Sequence, residues 1–289
     1  MSVILRTVKL LQTPANTWAA QTCRCLAAER PKYVSVTLDP DFEGSVAVVK
    51  LQKKPVNTFC SNHLREVTKT ITDLEKDERV RAMIFTSAFP GVFSAGLDIM
   101  SMYQKTYDEI YEFWYDIQDM IISNLSTNLI SISAINGHCV ASGCTIPFGS
   151  DYRIMAENKR IGLNEANLGM PIPFYLQTMM ENLIGVRRTE ELCQRGQLLE
   201  SDQALKEGLV DEVVPLDQVM TVAKKEVAKW LEVPDIGRAR VKAGIRENDL
   251  EVFRKDRDKD ATLFARLNSS PEVQAILETT LKNLKKQKK

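Results

Sequence analysis

The chain has 289 residues, enough for one large domain or two small ones with a core that stands alone. Hydrophobic residues make up 44% and charged residues 26%, proportions that argue against a disordered, collagen-like or membrane-spanning chain. With 38 Lys and Arg against 38 Asp and Glu the formal net charge is zero, unlike the basic excess expected of a dedicated nucleic-acid binder.

Residues 1–28 carry Arg6, Lys9 and Arg24, and no acid precedes Glu29. Val3, Ile4, Leu5, Val8, Leu10 and Leu11 interleave with the cations, the amphipathic basic pattern of a mitochondrial transit peptide. Lys9 interrupts the apolar run that a secretory signal needs; a merely frayed N-terminus stays open as the alternative. No later segment approaches the ~20 apolar residues of a membrane span. The six cysteines, at 23, 25, 60, 139, 144 and 193, read as reduced thiols in a chain of this length, with Cys139 and Cys144 in an apolar stretch that favours burial. His63 and His138 are the only histidines, so no metal site is expected.

Alternation and β-branching over 33–38 and 45–51, with Pro40 and Gly44 between, predict a hairpin. Leu64, Val67, Ile71 and Leu74 fall at three- and four-residue steps and predict a helix over 61–77 opened by a Ser cap. A short apolar strand over 81–87 completes a β-β-α-β unit. Then come a Gly- and Ser-bearing loop, a long aromatic helix over 106–125, a strand over 129–135, a turn at Asn136-Gly137, a short helix around 143–149 and a strand over 151–156. This alternation makes the class α/β. From about 175 onward the pattern turns helical, over 175–184, 186–195, 201–207, 216–231 and 249–284, interrupted by the apolar stretch 209–214. The shift separates a β-rich core, 29–215, from a helical C-terminal part, 216–289.

Three loop segments adjoin strands, where a rigid sheet presents functional groups. In 90–100, Ser94, Ala95 and Gly96 allow close backbone approach, and a following helix start leaves N–H groups that suit a developing oxyanion. In 135–148, Ala141, Ser142 and Gly143 precede a helix and offer a second such donor. In 160–174, Glu165 is flanked by Ile161, Leu163, Leu168 and Met170, with Pro171 and Pro173 beyond. Desolvation raises a carboxyl in such a loop toward roughly 6–7, where it takes and returns a proton. The same pattern also fits a solvent-facing Glu at a helix start. Lys53 and Lys54 fit either phosphate contacts or solvated strand-end lysines. Tyr111, Phe113, Trp114 and Tyr115 read as core and pocket wall, and His138 as a structural or solvent-facing residue.

The order and spacing of KKPVNTF (53–59), TSAFPGVFSAGLDIM (86–100), SAINGHCVASGC (133–144), DYRIMAENKRIGLNEANLGM (151–170) and GLVDEVVP (208–215) resemble the crotonase, or enoyl-CoA hydratase/isomerase, superfamily. Within it, the chain is most similar to the mitochondrial isomerases that move a 3-enoyl double bond to the trans-2 position. The resemblance implies a crotonase-like spiral of ββα units followed by a helical oligomerisation region. It implies an acyl-CoA substrate, a homotrimer or a dimer of trimers in the mitochondrial matrix, and no cofactor beyond the coenzyme A of the substrate. It maps the oxyanion donors onto the Leu97 and Ser142 amides, the second of which is usually glycine in the family. Ala95, Gly96, Leu97, Asp98 and Ile99 map onto the acyl-CoA path, Asn164 onto a contact beside the base, and Glu165 onto the catalytic base. The hydratases' other carboxylate maps onto Thr145, whose hydroxyl is a poor acid, and this favours isomerisation over hydration. A hydratase, a dienoyl-CoA isomerase and a non-catalytic binding protein of the same superfamily are the alternatives.

Overall fold

The computed structural model describes residues 33–286, so the basic leader expected over 1–28 lies outside the described residues. Val34–Leu38 (β1) and Val46–Leu51 (β2) form the expected antiparallel hairpin, with Val34 opposite Leu51. Ser61–Lys76 (α1) buries Leu64, Val67, Ile71 and Leu74 along one stripe, as their spacing predicts. Its cap is Cys60, which makes no side-chain cap bond, and Ser61 is already helical. The chain stays extended through Cys60 because the preceding residue, Phe59, is held in a β-bridge to Leu97.

Ala82–Ser87 (β3) is buried throughout and leads directly into Gly91–Ser94 (β4). Tyr107–Ser126 (α2) opens on a capping box between Thr106 and Glu109, then gives way to Ile130–Ile135 (β5). The turn at Asn136-Gly137 leads not to a helix but to a strand, Gly137–Val140 (β6). A 3-10 turn, Ala141–Cys144, and the helix Thr145–Gly149 (α3) follow. Next come Tyr152–Ala156 (β7), Arg160–Gly162 (β8), the helices Phe174–Ile184 (α4) and Val186–Gln194 (α5), Leu199–Glu200 (β9) and Ser201–Glu207 (α6). The apolar stretch over 209–214 ends in a strand, Glu212–Val214 (β10), and Val219–Leu231 (α7) follows it.

The C-terminal helices depart from their expected bounds. Asp235–Lys255 (α8) begins where no helix is expected, and the helix expected over 249–284 is divided among α8, Arg257–Asn268 (α9) and Pro271–Lys286 (α10). Ile236, Val241 and Ile245 of α8 face outward, so its apolar residues do not form the single inward stripe that marks a helix in sequence. Pro271 lacks an amide hydrogen and fits the first position of α10, which starts a new helix there.

β1-β2-β3-β5-β7-β10 make a six-stranded sheet, parallel from β2 onward, and β4-β6-β8-β9 make a four-stranded sheet. The chain passes from the larger to the smaller sheet three times, at β3–β4, β5–β6 and β7–β8, and each passage advances one strand in both. That repeated step is the spiral. Val49, Met83 and Phe85 turn one face of the larger sheet toward α1, α2 and the smaller sheet. Val46, Ile84, Ile132 and Ile154 turn the other toward Val219, Ala223 and Val227 of α7. Both faces are covered, as a parallel sheet requires.

Candidate active site

β4, β6 and β8 run parallel, so their carboxyl ends share one edge of the smaller sheet. From that edge emerge the segments beginning at Ala95, Ala141 and Leu163. Side chains of Ala95, Leu97, Ile99, Ser142 and Glu165 meet there around a cavity of about 90 Å³. Open α/β sheets place ligands at such carboxyl edges because each strand ends in a loop there.

The Leu97 donor is aimed by its own peptide unit. The Gly96 carbonyl accepts the Phe59 amide hydrogen at 2.8 Å, and the Asp98 amide donates to the Phe59 carbonyl at 2.9 Å. A trans peptide sets its N–H opposite its C=O, so the Leu97 N–H points away from Phe59. Ser142 is the second residue of its 3-10 turn, where a backbone N–H has no partner within the helix. An added Cβ on Gly96 would stand 3.4 Å from the Ser142 nitrogen, which places the two donor segments side by side. Gly143 packs so closely on β4 that a Cβ there would lie 2.6 Å from the Ser94 carbonyl oxygen.

Glu165 opens a 3-10 turn, Glu165–Leu168, and is 6% exposed. Neither carboxyl oxygen has a hydrogen-bond partner. Burial pushes the group up to about 7; the Glu165 and Asn164 amides and the Ser142 hydroxyl pull the other way but do not reach hydrogen-bond geometry. Glu165 is the only ionisable side chain among the described residues that line the cavity. Thr145 is buried, and its hydroxyl donates to the Ser142 carbonyl at 2.6 Å. One ionisable carboxyl therefore shares the cavity with Leu97 and Ser142.

The enoyl-CoA hydratase/isomerase family model matches residues 41–288. The chain belongs to the enoyl-CoA hydratase/isomerase family. It is 39% identical over 255 residues to Mus musculus "Enoyl-CoA delta isomerase 1, mitochondrial", spanning 88% of each chain. Its identity to the Homo sapiens protein of that name is 38%, over 88% of this chain and 84% of the human one. The crystal structure of human mitochondrial delta3-delta2-enoyl-CoA isomerase superimposes with a TM-score of 0.87 at 37% identity, covering 89% of this chain and all of that one.

Not every residue that the family resemblance singles out lines the cavity. Gly96 is buried as the contact between the two donor segments. Asp98 instead pairs with Lys53 at 2.7 Å and accepts the Met100 amide hydrogen at 3.1 Å. Lys53 is thus neither solvated nor free, while Lys54 is exposed. Asn164 immediately precedes Glu165, with its side-chain oxygen buried and unpartnered. His138 accepts the Arg160 amide hydrogen at 3.0 Å and ties β6 to β8.

Sequence reasoning missed the wall made by Met102, Phe264 and Asn268. Phe264 stacks on Trp114 with centroids 3.8 Å apart, and the Trp114 indole N–H donates to Asp260. Trp114 thus supports the pocket wall from behind, whereas Tyr111 and Tyr115 reach toward Asp258. Nothing local in sequence marks Phe264, which lies about a hundred residues from the nearest site loop and reaches the cavity only because α9 packs on α2. A larger groove, about 920 Å³, lies along α8 and does not include Glu165.

Proposed function

We propose that this protein converts 3-enoyl-CoA to trans-2-enoyl-CoA in the mitochondrial matrix, with Glu165 as its single acid–base group. The observation that carries the reading is the lone, buried, unpartnered Glu165 carboxyl opposite the Leu97 and Ser142 amides. In a 3-enoyl thioester the carbonyl and the double bond together acidify the α-hydrogens. Glu165 removes one, and the charge spreads over a dienolate whose oxygen receives hydrogen bonds from Leu97 and Ser142. The resulting carboxylic acid then delivers its proton to the γ-carbon, leaving the double bond at the 2-position. Ala95 and Ile99 line the acyl path; Gly96 and Asp98 hold the donor segment in place, and Asn164 lies beside the base.

A carboxyl near 7 suits both halves of this cycle, because it is a competent base when ionised and a competent acid once protonated. Hydration needs a second group to manage the water, and Thr145 spends its hydroxyl on a backbone carbonyl. The reaction as written uses no metal or redox cofactor; coenzyme A enters with the substrate.

The matrix assignment draws on the basic, acid-free segment 1–28 and on the mitochondrial names of the relatives. We read the assembly as a homotrimer: Ile236, Val241 and Ile245 of α8 are 70%, 62% and 77% exposed, apolar surface that further copies would cover.

Glu165→Gln tests the mechanism, since it preserves shape and removes the proton carrier. Turnover of 3-hexenoyl-CoA, followed as 2-enoyl product, is expected to fall by about 10³ or more while the fold is retained. Wild-type turnover in this variant, or hydration of a 2-enoyl-CoA outpacing isomerisation in the parent protein, overturns the reading.

A further inference from the structure

Lys53 lies at the end of β2, outside the cavity, and is held by more than its own element. Its ammonium donates to Asp98 Oδ2 at 2.7 Å and to Thr58 Oγ1 at 2.7 Å. The two charged side chains are 11% and 25% exposed, so solvent screens the pair only in part. Asp98 directly follows Leu97. Its other carboxylate oxygen accepts the Met100 amide hydrogen, and its own amide donates to Phe59. The Ala95 amide donates to the Val56 carbonyl at 3.0 Å, inside the turn that Lys53 begins, and the Asn57 amide donates to the Lys53 carbonyl at 2.8 Å.

Loop 95–98 is therefore fastened to turn 53–59 by three backbone hydrogen bonds and by one ion pair. The reason for so firm an attachment is Gly96, whose φ of 87° sits immediately before the donor peptide. Glycine by itself does little to hold that peptide plane, so contacts from neighbouring segments must keep the Leu97 N–H from swinging off the position of the oxyanion. We propose that Lys53 is a positioning residue for the oxyanion hole, fixing through Asp98 the direction in which the Leu97 N–H points. This rests on the assignment of Leu97 as a donor in a thioester reaction.

The test separates positioning from a contact with the phosphates of coenzyme A. Lys53→Met is assayed on the 3-hexenoyl thioesters of coenzyme A and of N-acetylcysteamine, the second of which carries no phosphate. A misaimed donor is expected to lower kcat about tenfold on both, with KM changed less than about twofold. Lys53→Arg restores most of the rate. Asp98→Asn gives the same loss and adds little to Lys53→Met, because both remove one interaction; it also supplies the reading if Lys53→Met fails to fold. A rise in KM confined to the coenzyme A thioester, with kcat held, makes Lys53 a phosphate contact and overturns the proposal. Unchanged kinetics on both thioesters overturn it as well. If the wild-type protein turns over only 2-enoyl thioesters, the isomerase reading fails, and the same variant ratios measured on the 2-enoyl pair still decide the role of Lys53.

Discussion

The two sheets divide the work of the molecule between them. The larger is made of strands of three to six residues whose Val, Ile, Met and Phe side chains pack into both covering layers. The smaller has strands of two to four residues and gains its compactness from backbone lying directly on backbone at Gly137 and Gly143. Side-chain burial drives the first. In the second, glycine permits an approach that lets peptide N–H groups and one desolvated carboxyl converge. If, as proposed, the chemistry lies at the edge of the smaller sheet, substitutions in the core of the larger sheet and at that edge should separate stability from turnover.

The largest expected effect is on the larger sheet. Phe85→Ala, at a fully buried position of β3, should cost about 3–5 kcal/mol of unfolding free energy in a urea titration, with kcat per folded molecule nearly unchanged. A comparable loss of kcat would show that the sheets are not separable in this way.

Glu165 should reveal the opposite property, a site that destabilises its own fold. Its carboxyl stands near 7 in the folded protein against an unfolded value of 4.5. Ionising it is harder when folded, so the penalty is absent below pH 4.5, grows between 4.5 and 7 and is complete above 7. By linkage it amounts to about 3 kcal/mol. Glu165→Gln should therefore raise the unfolding free energy by up to that amount at pH 8 and by nearly nothing at pH 4. Equal effects at both pH values would remove desolvation as the cause.

Gly143→Ala sharpens the comparison from the smaller sheet. Its Cβ meets the Ser94 carbonyl and must push β4 away from the Ser142 turn, which separates the two donors. We expect kcat to fall about 10²-fold, a larger fractional effect than the accompanying loss of stability. A variant that loses stability but keeps kcat would mean that the donors do not depend on this contact.

The same division governs what could be read before the fold was seen. The strands β1, β2, β3, β5 and β7 announce themselves by alternation or by continuous burial, and α1 and α2 by helical spacing. β4, β6, β8 and β9 do not: four residues such as Gly-His-Cys-Val are too short to display a period. β4, β6 and β8 become strands only because the large-sheet strand before each delivers it to a neighbour, and β9 because it pairs with β8. Ser94, Ala95, Gly96, Ser142 and Glu165 still stand out, since small residues and a lone acid between apolar residues are visible without knowing the pairing. Asp98 and Lys53 were less legible. Both have the look of ligand-facing charges, and their 2.7 Å pairing joins segments 45 residues apart. Phe264 carries no local mark at all.

By itself the sequence determined the α/β class, the hydrophobic order of the larger sheet, the single acid of the third segment and the membership of the chain in its family, because each is carried by local pattern or by motif. Tertiary structure alone decided that Glu165 is desolvated, that the Leu97 N–H faces away from Phe59, and that a helix of the C-terminal part supplies a wall of the cavity. Burial, the orientation of a peptide plane and the meeting of distant segments are properties of the packed chain, and no stretch of residues holds them until the packing exists.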